Sequence, residues 1–296
     1  MTITLPSRPA DGHKGTFGTV LVVGGCDDEV GVMLGGPAFA ALGVLRSGAG
    51  RCVLAMPRSI LAEALSVSPS ATGLPLATDA GEAAAQLQEA AASMQAEVVG
   101  PGLGQSPWAA SILEARLASP GPPVVLDADG LNLLAQDAGV LRSCVREMIL
   151  TPHPGEYARL AEILGLPEAG QDDASRRGAA EALATEAGAV VVLKGARTVV
   201  TDGSRTWICD VGSAVLATGG TGDVLAGLIG GFQAQSAGTQ RFESAVLGTW
   251  VHACAGERWA ASHADRGLLA AELAEAVPGV LEACRRGDLD LPRCPS

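Results

Sequence analysis

The chain has 296 residues, of which 48% are hydrophobic, 18% are charged and 3% are aromatic, and its formal net charge is −12. Proteins that bind nucleic acid normally carry clustered Lys and Arg residues, and this acidic chain has no such run, so we expect no nucleic-acid partner. Its seven cysteines are dispersed without a Cys-x-x-Cys pair. That pattern favours reduced thiols over a disulfide framework or a zinc site.

The sequence gives no sign of a membrane segment or a leader. Met1–His13 lacks the apolar stretch that follows the basic start of a signal peptide. No run reaches the roughly 18 apolar residues that a membrane-spanning helix requires. We therefore expect a soluble, cytoplasmic protein that has no membrane partner.

Short apolar runs alternate with helical patterns along most of the chain. Such runs predict buried strands at Gly18–Gly25, Arg51–Met56, Glu97–Gly100, Pro123–Asp127, Met148–Thr151 and Ala189–Lys194. Helical spacing of apolar residues predicts helices at Met33–Ser47, Ser59–Ser66, Ala80–Met94, Pro107–Leu117, Tyr157–Leu164 and Ala174–Glu186. The polar segment Cys26–Gly31 predicts a loop.

The C-terminal third begins with a predicted hairpin, because Thr198–Thr201 and Thr206–Cys209 flank the turn signal Asp202-Gly203. Helices are predicted at Glu243–Ser262 and Leu268–Leu281, and Arg285–Ser296 is predicted to be a loose tail. Strands that alternate with helices predict an α/β fold with a central, mostly parallel sheet and helices on both faces. No linker-like composition break occurs, which favours one domain over residues 1–296.

Polar and glycine-rich clusters follow five of these apolar runs. They are Gly100–Gly104, Asp127–Asn132, Thr151–Glu156, Lys194–Ala196 and Gly219–Asp223. Open α/β sheets bind ligands beyond the carboxyl ends of their strands. The shared placement of the five clusters therefore predicts a ligand site at that edge of the sheet.

The segment Ala217–Phe232 combines a glycine-rich turn with an apolar helix. Gly219, Gly220 and Gly222 leave backbone N–H groups uncovered at a helix N-terminus, an arrangement that attracts phosphate oxygens. Asp223 follows, where a carboxylate would repel the same ligand. It either removes a proton from a hydroxyl that attacks phosphorus or caps the helix.

Other polar residues at the strand ends also have two interpretations. Lys194 either shapes a nucleotide pocket or extends to water, and His153 is either a hydrogen-bonding group held by two prolines or a turn residue. Asp127 and Asp129 either handle Mg²⁺ or fix loops. His252 is interpreted as a packing residue. The chain lacks the Gly-x-x-x-x-Gly-Lys-Ser/Thr pattern, which excludes a P-loop. No Gly-x-Gly-x-x-Gly follows its first strand, so a Rossmann dinucleotide site is unsupported.

These clusters, together with His13–Gly15, Leu45–Gly50 and Thr218–Gly227, occur in the order found in the ADP/ATP-dependent NAD(P)H-hydrate dehydratases, which the chain resembles from His13 to Leu281. The resemblance implies a ribokinase-like fold and a metabolite-repair lyase. It implies dehydration of the S form of hydrated NADH or NADPH with ADP or ATP as co-substrate and Mg²⁺ as cofactor. Asp223 would be the base that activates the hydroxyl of the hydrate. The basic spot His13–Gly15 is expected either to close over a substrate or to be a disordered lead-in.

The resemblance also implies binding residues and partners. The nucleotide would contact Lys194, Gly195, Ala196, Arg197, Thr198, Gly219, Gly220, Thr221 and Gly222, and the hydrated coenzyme would contact Gly36, Gly104, Asn132, His153 and Asp223. Many relatives carry a fused epimerase, for which 296 residues leave no room, so a separate epimerase partner is expected. The family usually forms homo-oligomers, commonly tetramers.

Two departures from the family pattern keep alternatives open. Before the turn, Ser213 and Val215 stand where the family often has Asn and Gly, and Gly36 stands where alanine is usual. The first departure leaves room for a kinase of the same fold that phosphorylates a thiazole or pyrimidine alcohol. A nucleotide-binding regulator without turnover is the other alternative, although Asp223 and the three glycines are intact.

Overall fold

A computed structural model describes residues 3–29, 31–236 and 240–293. Its strands are β1 (Thr19–Val23), β2 (Cys26–Asp28), β3 (Gly31–Met33), β4 (Arg51–Pro57), β5 (Thr72–Leu76), β6 (Ala96–Val99), β7 (Val124–Leu126), β8 (Met148–Leu150), β9 (Val190–Leu193), β10 (Val199–Thr201) and β11 (Thr206–Ile208). Nine of them form one sheet in the order β11-β10-β9-β8-β7-β6-β1-β4-β5. The pairings from β5 to β9 are parallel, and β10 and β11 add antiparallel strands at one edge.

Helices cover both faces of the sheet. They are α1 (Gly35–Arg46), α2 (Arg58–Val67), α3 (Ala80–Ala91), α4 (Pro107–Ala118), α5 (Asp129–Leu134), α6 (Ala138–Arg142), α7 (Pro154–Leu164), α8 (Asp173–Ala187), α9 (Thr221–Gln235), α10 (Arg241–Ser262) and α11 (Ala270–Arg286). Alternate residues of β1 enter opposite cores: Val20 and Val22 pack with α1, α2 and α9–α11, whereas Leu21 and Val23 pack with α3–α8. Since both faces of the central strands β1, β7, β8 and β9 are buried, these strands are near-continuous apolar runs.

Small residues let α1 and α9 approach each other closely. A Cβ atom at Gly227 would collide with the backbone carbonyl of Ala40, and one at Gly43 would collide with that of Val224. With so few aromatic residues, the core depends on this close backbone packing. The contact brings the N-terminal turns of the two helices together, which carry Gly36 and Asp223.

The predicted α/β class and every strand and helix named from the sequence are confirmed, with ends shifted by a few residues. The loop predicted for Cys26–Gly31 was wrong, because Cys26 pairs with Met33 in the exposed hairpin β2–β3. The tail prediction was wrong for Arg285 and Arg286, which end α11 and pair with Glu282. Residues 294–296 of that tail lie outside the described part. Across the ranges that are described, no helix is both long and apolar enough to cross a membrane.

Candidate active site

The carboxyl ends of β7, β8 and β9 bring together a buried group of charges. Asp127 is 1% exposed, and its Oδ1 accepts hydrogen bonds from Lys194 Nζ at 2.7 Å and from Thr151 Oγ1 at 2.8 Å. Glu156, also buried, places Oε2 3.7 Å from Lys194 Nζ. Lys194 therefore does not extend into water, because two carboxylates hold its ammonium group at the sheet edge.

The glycine-rich turn leads into α9 beside this charge group. Gly220 is the N-cap residue with φ of 91°, a left-handed conformation that glycine adopts without strain. Thr221 Oγ1 donates to the carbonyl oxygens of Leu216 at 2.7 Å and Thr218 at 2.8 Å, which holds the turn against the helix. The N–H of Gly222 is in the first helical turn, where backbone donors have no acceptor within the helix. It is thus a ready donor for an anionic oxygen.

Asp223 occupies the first turn of α9, and Gly220 holds the N-cap position. The capping interpretation of Asp223 was therefore wrong. Burial raises the pKa of Asp223 to about 7, and the Asp127 carboxylate adds to the rise while the Lys194 ammonium opposes it. A carboxyl group with a pKa near neutrality can exchange a proton with a bound hydroxyl.

Glu156 and Lys194 also have shifted pKa values, because they lie in the same buried group of charges. Burial raises the pKa of Glu156 to about 7, although the Lys194 ammonium partly opposes the rise. Burial alone would lower the pKa of Lys194, but the carboxylates of Asp127 and Glu156 outweigh it and raise that pKa. The lysine stays charged, so the site keeps one fixed cation beside the helix N-terminus.

A cavity of about 580 Å³ opens beside this cation. Its wall contains most of the predicted nucleotide contacts, namely Lys194, Gly195, Ala196, Arg197, Thr198, Thr221 and Gly222. Apolar residues that could pack against a nucleobase complete it, including Val211, Leu216 and Leu225. The other two predicted contacts do not line it: Gly219 is exposed and Gly220 precedes the helix.

The predicted coenzyme contact Gly36 lies directly against Asp223. A Cβ atom at Gly36 would be 3.1 Å from Asp223 Oδ1 and 3.3 Å from the backbone nitrogen of Gly102. An alanine at this position would be tightly crowded. The glycine that departs from the family pattern therefore leaves room around the carboxylate.

The predicted contacts Gly104 and Asn132 are joined by Asp129. Its Oδ2 accepts from the Gly104 N–H at 3.0 Å, and its Oδ1 accepts from Asn132 Nδ2 at 3.4 Å. Asn132 Oδ1 in turn accepts from Arg159 Nη1 at 3.1 Å and lines a second cavity of about 680 Å³. Asp129 thus follows the loop-fixing interpretation, whereas Asp127 lies in the buried charge group with Thr151 and Lys194.

His153 caps helix α7 at the edge of the charge group. Its Nδ1 accepts from the N–H groups of Gly155 at 2.9 Å and Glu156 at 3.1 Å, and the Glu156 carboxylate accepts from the His153 N–H at 2.7 Å. Partial burial lowers the pKa of His153, and the positive charges of Lys194 and Arg159 lower it further. The side chain is 51% exposed and does not line the cavity beside Lys194. Its capping role was not foreseen.

Two other parts of the sequence analysis were wrong in position or role. The segment His13–Gly15 lies against Gly50, just before β4 begins, so within this chain it is at the amino ends of the strands and away from the site. His252 was interpreted as a packing residue, yet it lines the cavity beside Lys194, and its Nε2 lies 2.9 Å from the Thr221 carbonyl oxygen. Only tertiary packing of α10 on α9 creates that contact, so no sequence signal could have shown it.

The departure at Ser213 and Val215 forms a short 3₁₀ turn at Ala214–Leu216. Ser213 Oγ accepts from the Val215 N–H at 3.4 Å, and Ser213 lines the cavity beside Lys194. A left-handed residue is not needed here, because the turn keeps ordinary right-handed backbone angles. Val215 therefore fits without strain.

Carboxylates surround Lys194 without forming a metal centre. In the described portion of the chain, no group of three or more His, Cys, Asp or Glu side chains could hold a metal ion. Six cysteines in those same ranges are all unpaired, as the sequence predicted. Magnesium that keeps several waters and is bound mainly by phosphate oxygens needs only one or two carboxylates, and the site offers Asp127, Glu156 and Asp223.

The chain matches a known protein family and known sequences over most of its length. A family model described as NAD(P)H-hydrate dehydratase matches residues 20–279. The chain is 39% identical over 277 residues to the ADP-dependent (S)-NAD(P)H-hydrate dehydratase of Neisseria meningitidis, covering 91% of this chain and 87% of that one. It spans about half the length of the bifunctional NAD(P)H-hydrate repair enzymes that it also matches.

Solved structures give the same result for the fold. The ADP/ATP-dependent NAD(P)H-hydrate dehydratase of Bacillus subtilis, co-crystallised with ATP and Mg²⁺, superposes with a TM-score of 0.78 at 31% identity, covering 94% of both chains. A ribokinase-like superfamily protein of Enterococcus faecalis superposes with a TM-score of 0.78 at 26% identity, covering 94% of this chain and 91% of that one. The fold is ribokinase-like, and the chain belongs to the NAD(P)H-hydrate dehydratase family.

Proposed function

We propose that this chain catalyses the nucleotide-dependent dehydration of the S epimer of hydrated NADH or NADPH. The observation that supports the proposal best is the Asp223 carboxyl, whose pKa is about 7, beside the helix N-terminus and the Lys194 ammonium. A base, a set of amide donors and a fixed cation are what phosphoryl transfer to a hydroxyl requires. The family membership and the B. subtilis structure with ATP and Mg²⁺ support the same activity.

The reaction would begin when Asp223 accepts the proton of the hydroxyl on the hydrated nicotinamide ring. The oxygen then forms a bond to the terminal phosphorus of ADP or ATP, and the bond to the leaving phosphate of AMP or ADP breaks. The N–H groups of the Gly219–Gly222 turn would donate to the phosphoryl oxygens as negative charge develops on them. Lys194 would neutralise part of that charge.

The phosphorylated hydroxyl would next leave as inorganic phosphate. The lone pair of the ring nitrogen drives cleavage of the carbon–oxygen bond, and loss of a proton from the adjacent ring carbon restores the reduced coenzyme. Mg²⁺ bound to the nucleotide would neutralise phosphate charge. The carboxylates of Asp127 and Glu156 are near enough to Lys194 to orient its ammonium group. Through bound water, the same carboxylates would help to hold the magnesium ion.

The two substrates would approach the base from different sides. The nucleotide would occupy the cavity beside Lys194, and the coenzyme would contact Gly36, Gly104, Asn132 and His153, of which Gly36 lies against Asp223. We further propose that residues 1–296 form one dehydratase domain acting in the cytoplasm. The homo-oligomer, with a tetramer as the usual form, and the separate epimerase stay predictions.

The assay incubates the purified protein with hydrated NADH, Mg²⁺ and either ADP or ATP. We expect the absorbance band of reduced nicotinamide to return and inorganic phosphate to be released in equal amount. Phosphorylation without return of that absorbance would indicate a kinase. No turnover with tight nucleotide binding would indicate a regulator, and either outcome would refute the dehydratase proposal.

A further inference from the structure

We propose that Arg159 and the cavity of about 680 Å³ that it lines bind the phosphate groups of the dinucleotide substrate. This inference deepens the proposed function and rests on it. It assigns the second cavity to the coenzyme and leaves the cavity beside Lys194 to ADP or ATP. The two cavities share no lining residue.

The need for a cation follows from charge. A dinucleotide carries two negative phosphate groups, whereas this chain has a net charge of −12 and crowds carboxylates around Asp223. In the proposed reaction Lys194 serves the transferring phosphoryl group of the nucleotide, and its ammonium nitrogen also lies 2.7 Å from Asp127 and 3.7 Å from Glu156. A second positive group would therefore strengthen the binding of the coenzyme phosphates.

Arg159 has the bonding capacity to meet that need. Within the described ranges, its one hydrogen-bond partner is the neutral amide oxygen of Asn132, and no carboxylate lies within ion-pair distance of it. Two other exposed arginines are ion-paired: Arg177 with Glu181 and Arg197 with Asp173, each at 2.7 Å. A guanidinium group has five donors and matches phosphate in a bidentate manner. Arg159 can thus bind a phosphate group without first breaking an ion pair.

The surroundings of Arg159 connect it to the predicted coenzyme contacts. The Asp129 carboxylate accepts hydrogen bonds from the Gly104 N–H, from Gln105 Nε2 at 3.3 Å and from Asn132 Nδ2. It therefore positions the predicted coenzyme contact Gly104 together with Gln105 and Asn132, which line the cavity. Amide side chains in that wall can donate to phosphate without carrying charge. Helix α7 completes the connection, because Arg159 follows Glu156 by about one turn.

One residue of the wall opposes an anion. Glu162 also lines the cavity, is exposed, and forms no ion pair with Arg159 in the part of the chain that the structure describes. Its carboxylate should weaken phosphate binding at the cavity while Arg159 strengthens it. Removing each charge separately should therefore shift coenzyme affinity in opposite directions, which a merely structural role of either residue would not do.

The test measures steady-state kinetics for wild type, Arg159→Gln, Glu162→Gln and, as a matched control, Arg58→Gln, an exposed arginine of α2 outside both cavities. Loss of a charge-assisted hydrogen bond should raise the KM for hydrated NADH about tenfold or more in Arg159→Gln. Glu162→Gln should lower that KM severalfold. The KM for ADP should stay within about twofold of wild type in both variants, and the control should be unchanged.

Equilibrium binding of the reaction product NADH separates the two proposals, because it does not need turnover. Arg159→Gln should weaken NADH binding but not binding of reduced nicotinamide riboside, which has no phosphate. If the wild type fails to dehydrate the hydrate, the proposed function fails. The difference in NADH affinity between wild type and Arg159→Gln still tests the phosphate site in that case. Equal NADH affinity in wild type and Arg159→Gln would overturn the inference. So would an equal loss of riboside affinity, which indicates a structural role.

Discussion

Replacement of Asp223 by asparagine tests both the chemistry and the electrostatics of the site. The pKa of about 7 means that about one tenth of the carboxyl groups are deprotonated near pH 6 and about nine tenths near pH 8. If the deprotonated form is the base, kcat/KM of the wild type should rise about tenfold across this interval and then level off. Asp223→Asn should lower kcat about 10²- to 10⁴-fold and should still bind ADP.

The same raised pKa predicts that the asparagine variant is more stable than the wild type at high pH. An Asp whose pKa is higher in the folded state than its ordinary value of 3.8 favours folding at low pH, and this contribution is lost as the pH rises from about 4 to about 7. The difference between these two pKa values corresponds to at most about 4 kcal/mol of unfolding free energy. Asp223→Asn should therefore raise the free energy of unfolding by up to about 4 kcal/mol near pH 8, and by almost nothing near pH 4.

Urea unfolding of both proteins at the two pH values measures the stability difference, and initial rates with hydrated NADH and ADP give the pH profile. Asp223→Glu is a matched control, since it keeps the carboxylate but lengthens the side chain. An asparagine variant with full activity would contradict the role of Asp223 as base, and one less stable than wild type near pH 8 would contradict its raised pKa. A flat wild-type profile between pH 6 and pH 8 would remove Asp223 as the titrating base.

Three further substitutions test other parts of the structure. In Gly222→Val, the added side chain begins 3.5 Å from Lys194 Nζ, so the dissociation constant of ADP should rise at least tenfold by calorimetry. An unchanged affinity would contradict the proposed phosphate site at the N-terminus of α9. His252→Leu removes the donor to the Thr221 carbonyl, so the KM for ADP should rise severalfold, whereas His252→Gln keeps a donor and should restore much of the affinity. Glu97 is completely buried, and its Oε1 lies 2.7 Å from Arg116 Nη2 and 3.4 Å from Arg146 Nη2. Glu97→Gln should cost about 3–5 kcal/mol in urea unfolding without changing ADP affinity of the folded protein, and a neutral result would show that the buried charges are hydrated.

The principal elements of the fold could be predicted because they depend on local patterns. Strands buried on both faces must be continuous apolar runs, and Val190–Leu193 is such a run. Elements without that property were missed. Thr72–Leu76 contains Gly73 and Pro75, which favour turns, and it is a strand because it pairs with β4 at the edge of the sheet. The hairpin β2–β3 is largely exposed, so no apolar period marks it.

The sequence by itself determined that polar clusters follow the strands and that Asp223 follows a glycine-rich turn, since residue order and backbone preferences are local properties. Only the tertiary structure decided which charges meet. Lys194 and Asp127 are 67 residues apart, and their contact requires β7, β8 and β9 to be neighbours in the sheet. The pKa values of Asp223 and Glu156 depend on burial and on charges from distant segments, because desolvation and Coulomb interactions act through space.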